Sequence, residues 1–288
     1  MRYLLIVPVL LLAACGGSES NASNDQPQAR EPAPSNRAVV DPPVSSEKDL
    51  VEARRLFDES ELLSTSGDNT AAAEKLERAI ELSPLDGEIR ARLGYVYIKL
   101  LRYEDARDTL MRATELLEGE PERQIEFLAS WCSYKLAYDA YQRGSYEDAL
   151  DHLNDALDLQ PEYVDAKFLL GNIYKARKEY SEAADVFSSI SADTTGEPRF
   201  RALSGLGEVQ YHAGEYRKAI GTFTKLIDLS AEGYEAYGWR GYCHVQIGDR
   251  ESAVRDFTQA VQRTGSAERR ADYEEKLQQL SRSENEGE

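Results

Sequence analysis

The sequence predicts an all-α protein, in which about six helical pairs stack into a superhelical solenoid closed by a C-terminal helix. Three observations predict it. A Gly, Ala or Ser recurs with an Ala twelve residues later and, seven further on, usually another apolar residue. Ser60/Ala72/Ala79, Gly94/Ala106/Ala113, Ala137/Ala149/Ala156 and Gly241/Ala253/Ala260 are the clearest copies. Gly67, Gly144, Gly214 and Gly248 share one position of the same period, where a helix end needs a residue that accepts positive φ. The turn that follows repeats almost verbatim, as Tyr103-Glu104-Asp105-Ala106, Tyr146-Glu147-Asp148-Ala149, Tyr180-Ser181-Glu182-Ala183 and Tyr216-Arg217-Lys218-Ala219.

The elements follow in order. Arg2, the apolar stretch Leu4 to Leu12 and the pair Ala13-Ala14 read as a secretory signal over residues 1–14, too short to span a membrane. Residues 15–47 are rich in Ser, Asn, Gln, Pro and Gly, with hardly a large apolar side chain before Val39. Such a stretch cannot bury enough surface to fold and is expected to be a flexible tether. The array is expected over 48–267, in units near 53–86, 87–120, 130–163, 164–197, 200–233 and 234–267. In each, the small eighth residue and the Ala at the twentieth let two helices approach. Leu93, Tyr97 and Leu110 fill the seam of the second unit, and Leu170, Tyr174 and Phe187 that of the fourth.

Pro84 and Pro161 stop second helices. The fourth and fifth units depart from the pattern, with Ile190 and Leu226 where a small residue is expected. Residues 121–129 are extra. Pro121 suits a first helical turn, and Ile125, Phe127 and Leu128 are apolar, so the helix of the third unit is expected to run from about 121 to 142. Residues 268–288 are expected to form a capping helix and polar tail, with Tyr273, Leu277 and Leu280 on one face to cover the last unit.

This period resembles the tetratricopeptide repeat family over roughly 53–267, and the resemblance implies a right-handed solenoid. Leu12-Ala13-Ala14-Cys15 likewise resembles the lipobox of bacterial lipoproteins. That resemblance implies cleavage before Cys15 and lipidation of this residue. It also implies a lipid-anchored protein of the bacterial cell envelope, and Gly16 rather than Asp after the Cys favours the periplasmic face of the outer membrane.

Composition excludes other classes. The chain of 288 residues has 52 acidic and 34 basic side chains, a net charge of −18, which repels nucleic acid and anionic headgroups. Solubility is the plain account of the acidity, and a basic partner is the other. Beyond Cys15, Cys132 and Cys243 lie three units apart, too far for a disulfide, and are expected to be buried apolar residues. His152, His212 and His244 fall in three different units without ligand spacing. No nucleophile elbow, CxxC or phosphate loop can be read, so the sequence calls for no enzyme, cofactor or metal.

What remains is a surface. The second, fifth, ninth and twelfth positions of each first helix share a stripe roughly 130° around from the seam. In the family this stripe lines the concave groove that holds a partner segment. Here it carries Tyr95, Trp131, Tyr134, Tyr138, Tyr141, Phe168, Asn172, Lys175, Tyr211 and Tyr242, with Phe57 at its start. Trp and Tyr are the residue types that dominate interface energy. Asn172 suits the carboxylate clamp of some family members, but Phe168 stands where its basic companion belongs, so that clamp is not predicted. Lys175 and Arg201 are left to meet an acidic group on a mainly hydrophobic ligand. The expected partner is a peptide or helical segment of another envelope protein, with the membrane reached through the lipid on Cys15. Self-association as a homo-oligomeric spacer is the alternative.

Overall fold

The computed structural model describes residues 45–229 and 234–285, which belong to one compact unit. The expected signal, Cys15 and nearly all of the expected tether lie outside the described residues. Among those residues the chain forms thirteen α-helices and no strand. The first five are α1 (Glu47–Ser66), α2 (Asn69–Leu82), α3 (Gly87–Lys99), α4 (Tyr103–Thr114) and α5 (Glu120–Gln142). Then come α6 (Tyr146–Leu159), α7 (Val164–Ala176), α8 (Tyr180–Asp193) and α9 (Gly196–His212). The last four are α10 (Tyr216–Leu229), α11 (Tyr234–Gln246), α12 (Arg250–Arg263) and α13 (Ala267–Asn285).

Odd-numbered helices pair with the even-numbered helix that follows, and α5, α7, α9 and α11 also touch in succession. The first helices of successive units therefore line one layer of an all-α superhelical solenoid. Side chains start several helices. Asp68 accepts from the Ala71 N–H at 3.1 Å, Asp86 from Glu88 and Ile89 at 3.0 and 3.1 Å, and Asp249 from Ser252 at 3.1 Å. Ser46 and Asp49 form a reciprocal capping box ahead of α1.

The small eighth residue has a definite partner, four residues beyond the invariant Ala. A Cβ built on Gly171 would stand 2.8 Å from the Phe187 ring, and one on Gly207 2.6 Å from Phe223. In the third unit Leu153 leaves room for Ala137, and both are fully buried, whereas in the second a Cβ on Gly94 would stand 2.5 Å from Leu110. The alanines 72, 106, 149, 183, 219 and 253 are likewise buried completely, so no longer side chain fits the seam. Ile190 and Leu226 are buried too, each within the hydrophobic cluster of its own unit and the next.

The turn between paired helices takes positive φ in every unit, including the two that lack glycine. Leu101 (φ 60°) and Lys178 (φ 62°) adopt the left-handed conformation that Gly67, Gly144, Gly214 and Gly248 hold elsewhere. The packing of the flanking helices imposes this geometry against the preference of an L side chain.

At the C-terminal end, Arg240 grips Asp256 through two hydrogen bonds of 2.8 and 2.7 Å, with the carboxylate almost wholly buried. Tyr273 of α13 docks on Gly238, whose missing side chain makes room for the phenol, and is only 3% exposed. Leu277 and Leu280 pack against the same cluster. Cys132 and Cys243 are free, buried thiols, and burial pushes both up to about 12. No described helix is long and apolar enough to cross a membrane.

Candidate functional site: an aromatic ridge on α5

Helix α5 is 23 residues long against 13 in α3 and α7, because the extra residues before the third unit continue it upstream. The glycine before it, Gly119, donates its N–H to the Glu122 carboxylate at 3.2 Å and so helps to fix the start. Ser130 then ties α5 to α6 by donating to the Ala156 carbonyl at 2.9 Å, from a completely buried position. Ala129, Cys132, Ala137 and Ala140 bury the opposite face, which leaves the aromatic stripe turned outward.

The rings on that stripe are held mainly by rings of neighbouring elements, and within it Tyr134 and Tyr138 touch. Phe127 meets Tyr163 at 6.2 Å between centroids, Tyr163 meets Tyr134 at 5.3 Å, and Tyr134 meets Tyr138 at 6.4 Å. Trp131 stands edge-on to Tyr103 of α4 at 5.6 Å. The Lys135 ammonium lies over three rings, 6.0 Å from Tyr103, 6.0 Å from Trp131 and 5.5 Å from Tyr138. Tyr141 closes the stripe against Tyr146 at 6.0 Å. Phe127 remains 47% exposed and Tyr138 39%, so apolar surface is left uncovered although the rings are held in place.

The electrostatics follow from this half-burial. Burial raises the Tyr134 and Tyr163 phenols, and the Asp165 carboxylate adds to both shifts. Burial also raises Tyr103, with Asp139 as the next cause. Both carboxylates thus act on the ridge, and all three phenols stay neutral through the physiological range.

The other expected groove residues are placed differently, and two are corrections. Phe168 is only 5% exposed, in the core between α7, α8 and α9, with the Arg201 guanidinium 4.2 Å above its ring. It packs against Phe187 at 6.3 Å, so it is a core residue and not a groove anchor. Tyr242 turns to the cap, with its ring 5.1 Å from Phe257 and its hydroxyl donating to Asp272 of α13. Phe57 is buried as well, beneath Arg54.

Tyr211 packs on Trp239 at 5.3 Å and Tyr216 at 5.5 Å. Tyr95 sits under Lys99 at 5.0 Å. Lys175 is held by Glu208 at 3.0 Å and Arg201 lies 3.5 Å from Glu197, so neither is a free cation waiting for an acidic ligand. Asn172 is half-buried. The structure therefore gathers Trp131, Tyr134, Tyr138 and Tyr141 into one surface and disperses the rest.

Phe127, Tyr163, Tyr103 and Lys135 were missed as site residues. Phe127 had a legible signal, since it continues the stripe four residues ahead of Trp131. Tyr163 and Tyr103 come from neighbouring elements, and only packing brings them in. Among the described residues, no group of three or more His, Cys, Asp or Glu is arranged to hold a metal ion.

Family models described as tetratricopeptide repeat match residues 63–124, 140–206 and 205–269, about two thirds of the chain. The chain belongs to the tetratricopeptide repeat family. Such repeats are typically non-catalytic scaffolds for protein–protein interaction, and the matches point to no enzyme family. Curated relatives include the DnaJ homolog subfamily C member 7 homolog of Dictyostelium discoideum, 24% identical over 205 residues, which are 66% of this chain and 36% of that protein. Human tetratricopeptide repeat protein 16 is 26% identical over 67% of this chain and 23% of its own length. The chain thus spans about a third or less of these relatives. Among solved structures, a tetratricopeptide repeat protein from Parabacteroides merdae aligns over 82% of this chain and 89% of that one, at 20% identity and a TM-score of 0.41. Yeast Tom70 aligns over 81% and 48%, at 14% identity and a TM-score of 0.49.

Proposed function

We propose that this tetratricopeptide repeat protein is a membrane-tethered, non-catalytic adaptor of the bacterial cell envelope, which holds a segment of another envelope protein on α5. The observation that carries the binding site is the ridge itself. Phe127, Trp131, Tyr134 and Tyr138 lie in one line along α5, with Phe127 and Tyr134 held by Tyr163, Trp131 by Tyr103 and Tyr138 by Tyr134, while Phe127 and Tyr138 stay open to solvent. Ordered aromatic surface of this kind is typical of interface anchors, because little side-chain entropy remains to be lost on binding. The Leu-Ala-Ala-Cys sequence ending at Cys15 supports the lipid anchor, and the composition of 16–47 supports a tether between anchor and array.

The test is affinity capture from detergent-solubilised envelopes with wild type and a Trp131→Ala/Tyr138→Ala double variant. The expected result is a heterologous partner held by wild type and lost by a variant whose circular dichroism is unchanged. If both forms capture the same set, the ridge is not the binding surface. If wild type captures only itself, the adaptor reading gives way to a self-associating spacer.

A further inference from the structure

The ridge also specifies the shape of its partner. Phe127, Trp131, Tyr134, Tyr138 and Tyr141 recur at spacings of four, three, four and three, so they form one line along a single helix. From Phe127 to Tyr138 that line runs about 16 Å at 1.5 Å per residue. A segment crossing the array from unit to unit would leave it after one or two rings, because the equivalent positions of the fourth unit are a buried Phe168 and a polar Asn172. A helix laid lengthwise on α5 meets every ring. The alternation of four and three is the seam pattern by which helices pack side by side, and the upstream extension of α5 lengthens the seam by Phe127.

Charge selects among helices. Asp139 is exposed on α5 directly after Tyr138, and Asp165 is exposed in the first turn of α7, two residues after Tyr163. Among the described residues neither carboxylate has a Lys or Arg within ion-pair distance. The cations at the ridge are already engaged, Lys135 over its three rings and Arg201 on Phe168 beside Glu197. The chain as a whole carries a net charge of −18, whose field draws cationic partners in.

Resting on the adaptor reading above, we propose that the occupant of the ridge is a basic amphipathic helix. Its apolar face covers Phe127, Trp131, Tyr134 and Tyr138, and its flanking Lys or Arg residues pair with Asp139 and Asp165.

Three synthetic peptides of equal length test this by calorimetry against the full chain. One is an amphipathic helix with Leu at i, i+3, i+4 and i+7 and Lys on its flanks. The second carries Glu on the flanks, and the third is the Lys peptide with two central prolines. The Lys helix is expected to bind roughly tenfold more tightly than either control, and to weaken as ionic strength rises. Asp139→Asn/Asp165→Asn should lower its affinity severalfold, whereas Asp151→Asn/Asp158→Asn, two exposed carboxylates on α6, should not.

Equal binding of the proline peptide overturns the helix. Equal binding of the Glu peptide, or equal effects of the two Asp pairs, overturns the charge assignment. Absence of binding by all three overturns the proposal outright. None of these results touches the envelope capture, which decides separately whether the ridge binds a partner at all.

Discussion

Helix α5 in the middle of the array and helix α11 near its end are both dense in aromatic residues, and they use them in opposite ways. Each carries a tyrosine at the ninth position of its unit, Tyr138 and Tyr242, and each carries one of the two tryptophans. On α11, Trp239 stacks on Phe223, while Tyr242 is clamped between Phe257, Tyr273 and the Asp272 carboxylate. The cap has filled the place a ligand would take. On α5 no later described helix docks over the stripe, so Phe127 and Tyr134 lean on Tyr163 and Tyr138 on Tyr134, while Phe127 and Tyr138 stay open. A stripe position is thus a licence to face the groove, and what docks against it decides whether the residue becomes interface or core.

The sharpest way to break this comparison is through stability. Asp256→Ala leaves the half-buried Arg240 guanidinium with Thr224 as its remaining hydrogen-bond acceptor and is expected to cost about 3 kcal/mol in urea unfolding, among the largest effects here. A loss below about 1 kcal/mol would mean that the C-terminal end is not the packed region described. Next, Tyr273→Ala removes the ring seated on Gly238 and should cost about 3 kcal/mol, whereas Tyr138→Ala should change stability by no more than about 0.5 kcal/mol. Equal losses from the two changes would erase the distinction between core and ridge.

Smaller effects sharpen the seam rule. Gly207→Ala forces a methyl group into the Phe223 ring and should destabilise by about 1–3 kcal/mol. Adding Phe223→Leu should recover part of that loss, since the third unit accommodates Ala137 opposite Leu153. Failure of the second change to rescue would show that the pairing of small and large residues is not what sets the spacing. The least effect is a gain. Leu101→Gly, at an exposed left-handed position, should raise stability by about 0.5–1 kcal/mol, measurable as a higher urea midpoint.

The sequence by itself determined the fold class, the repeat period and the family. Those rest on positions 8 and 20 of each unit, where every copy meets the same steric demand, so the demand is written into residue type. It also determined that Cys132 and Cys243 are buried and unpaired. The tertiary structure alone decided which aromatics form a surface. Phe168 and Tyr138 occupy neighbouring positions of the same predicted stripe, but the former is covered by Arg201 and the latter is not. Likewise only packing recruited Tyr103 and Tyr163 to the ridge and forced Leu101 and Lys178 into a glycine's conformation. The physical reason is common to all of these. Periodicity fixes the direction in which a side chain leaves its own helix, whereas exposure depends on the residues of other helices that meet it there.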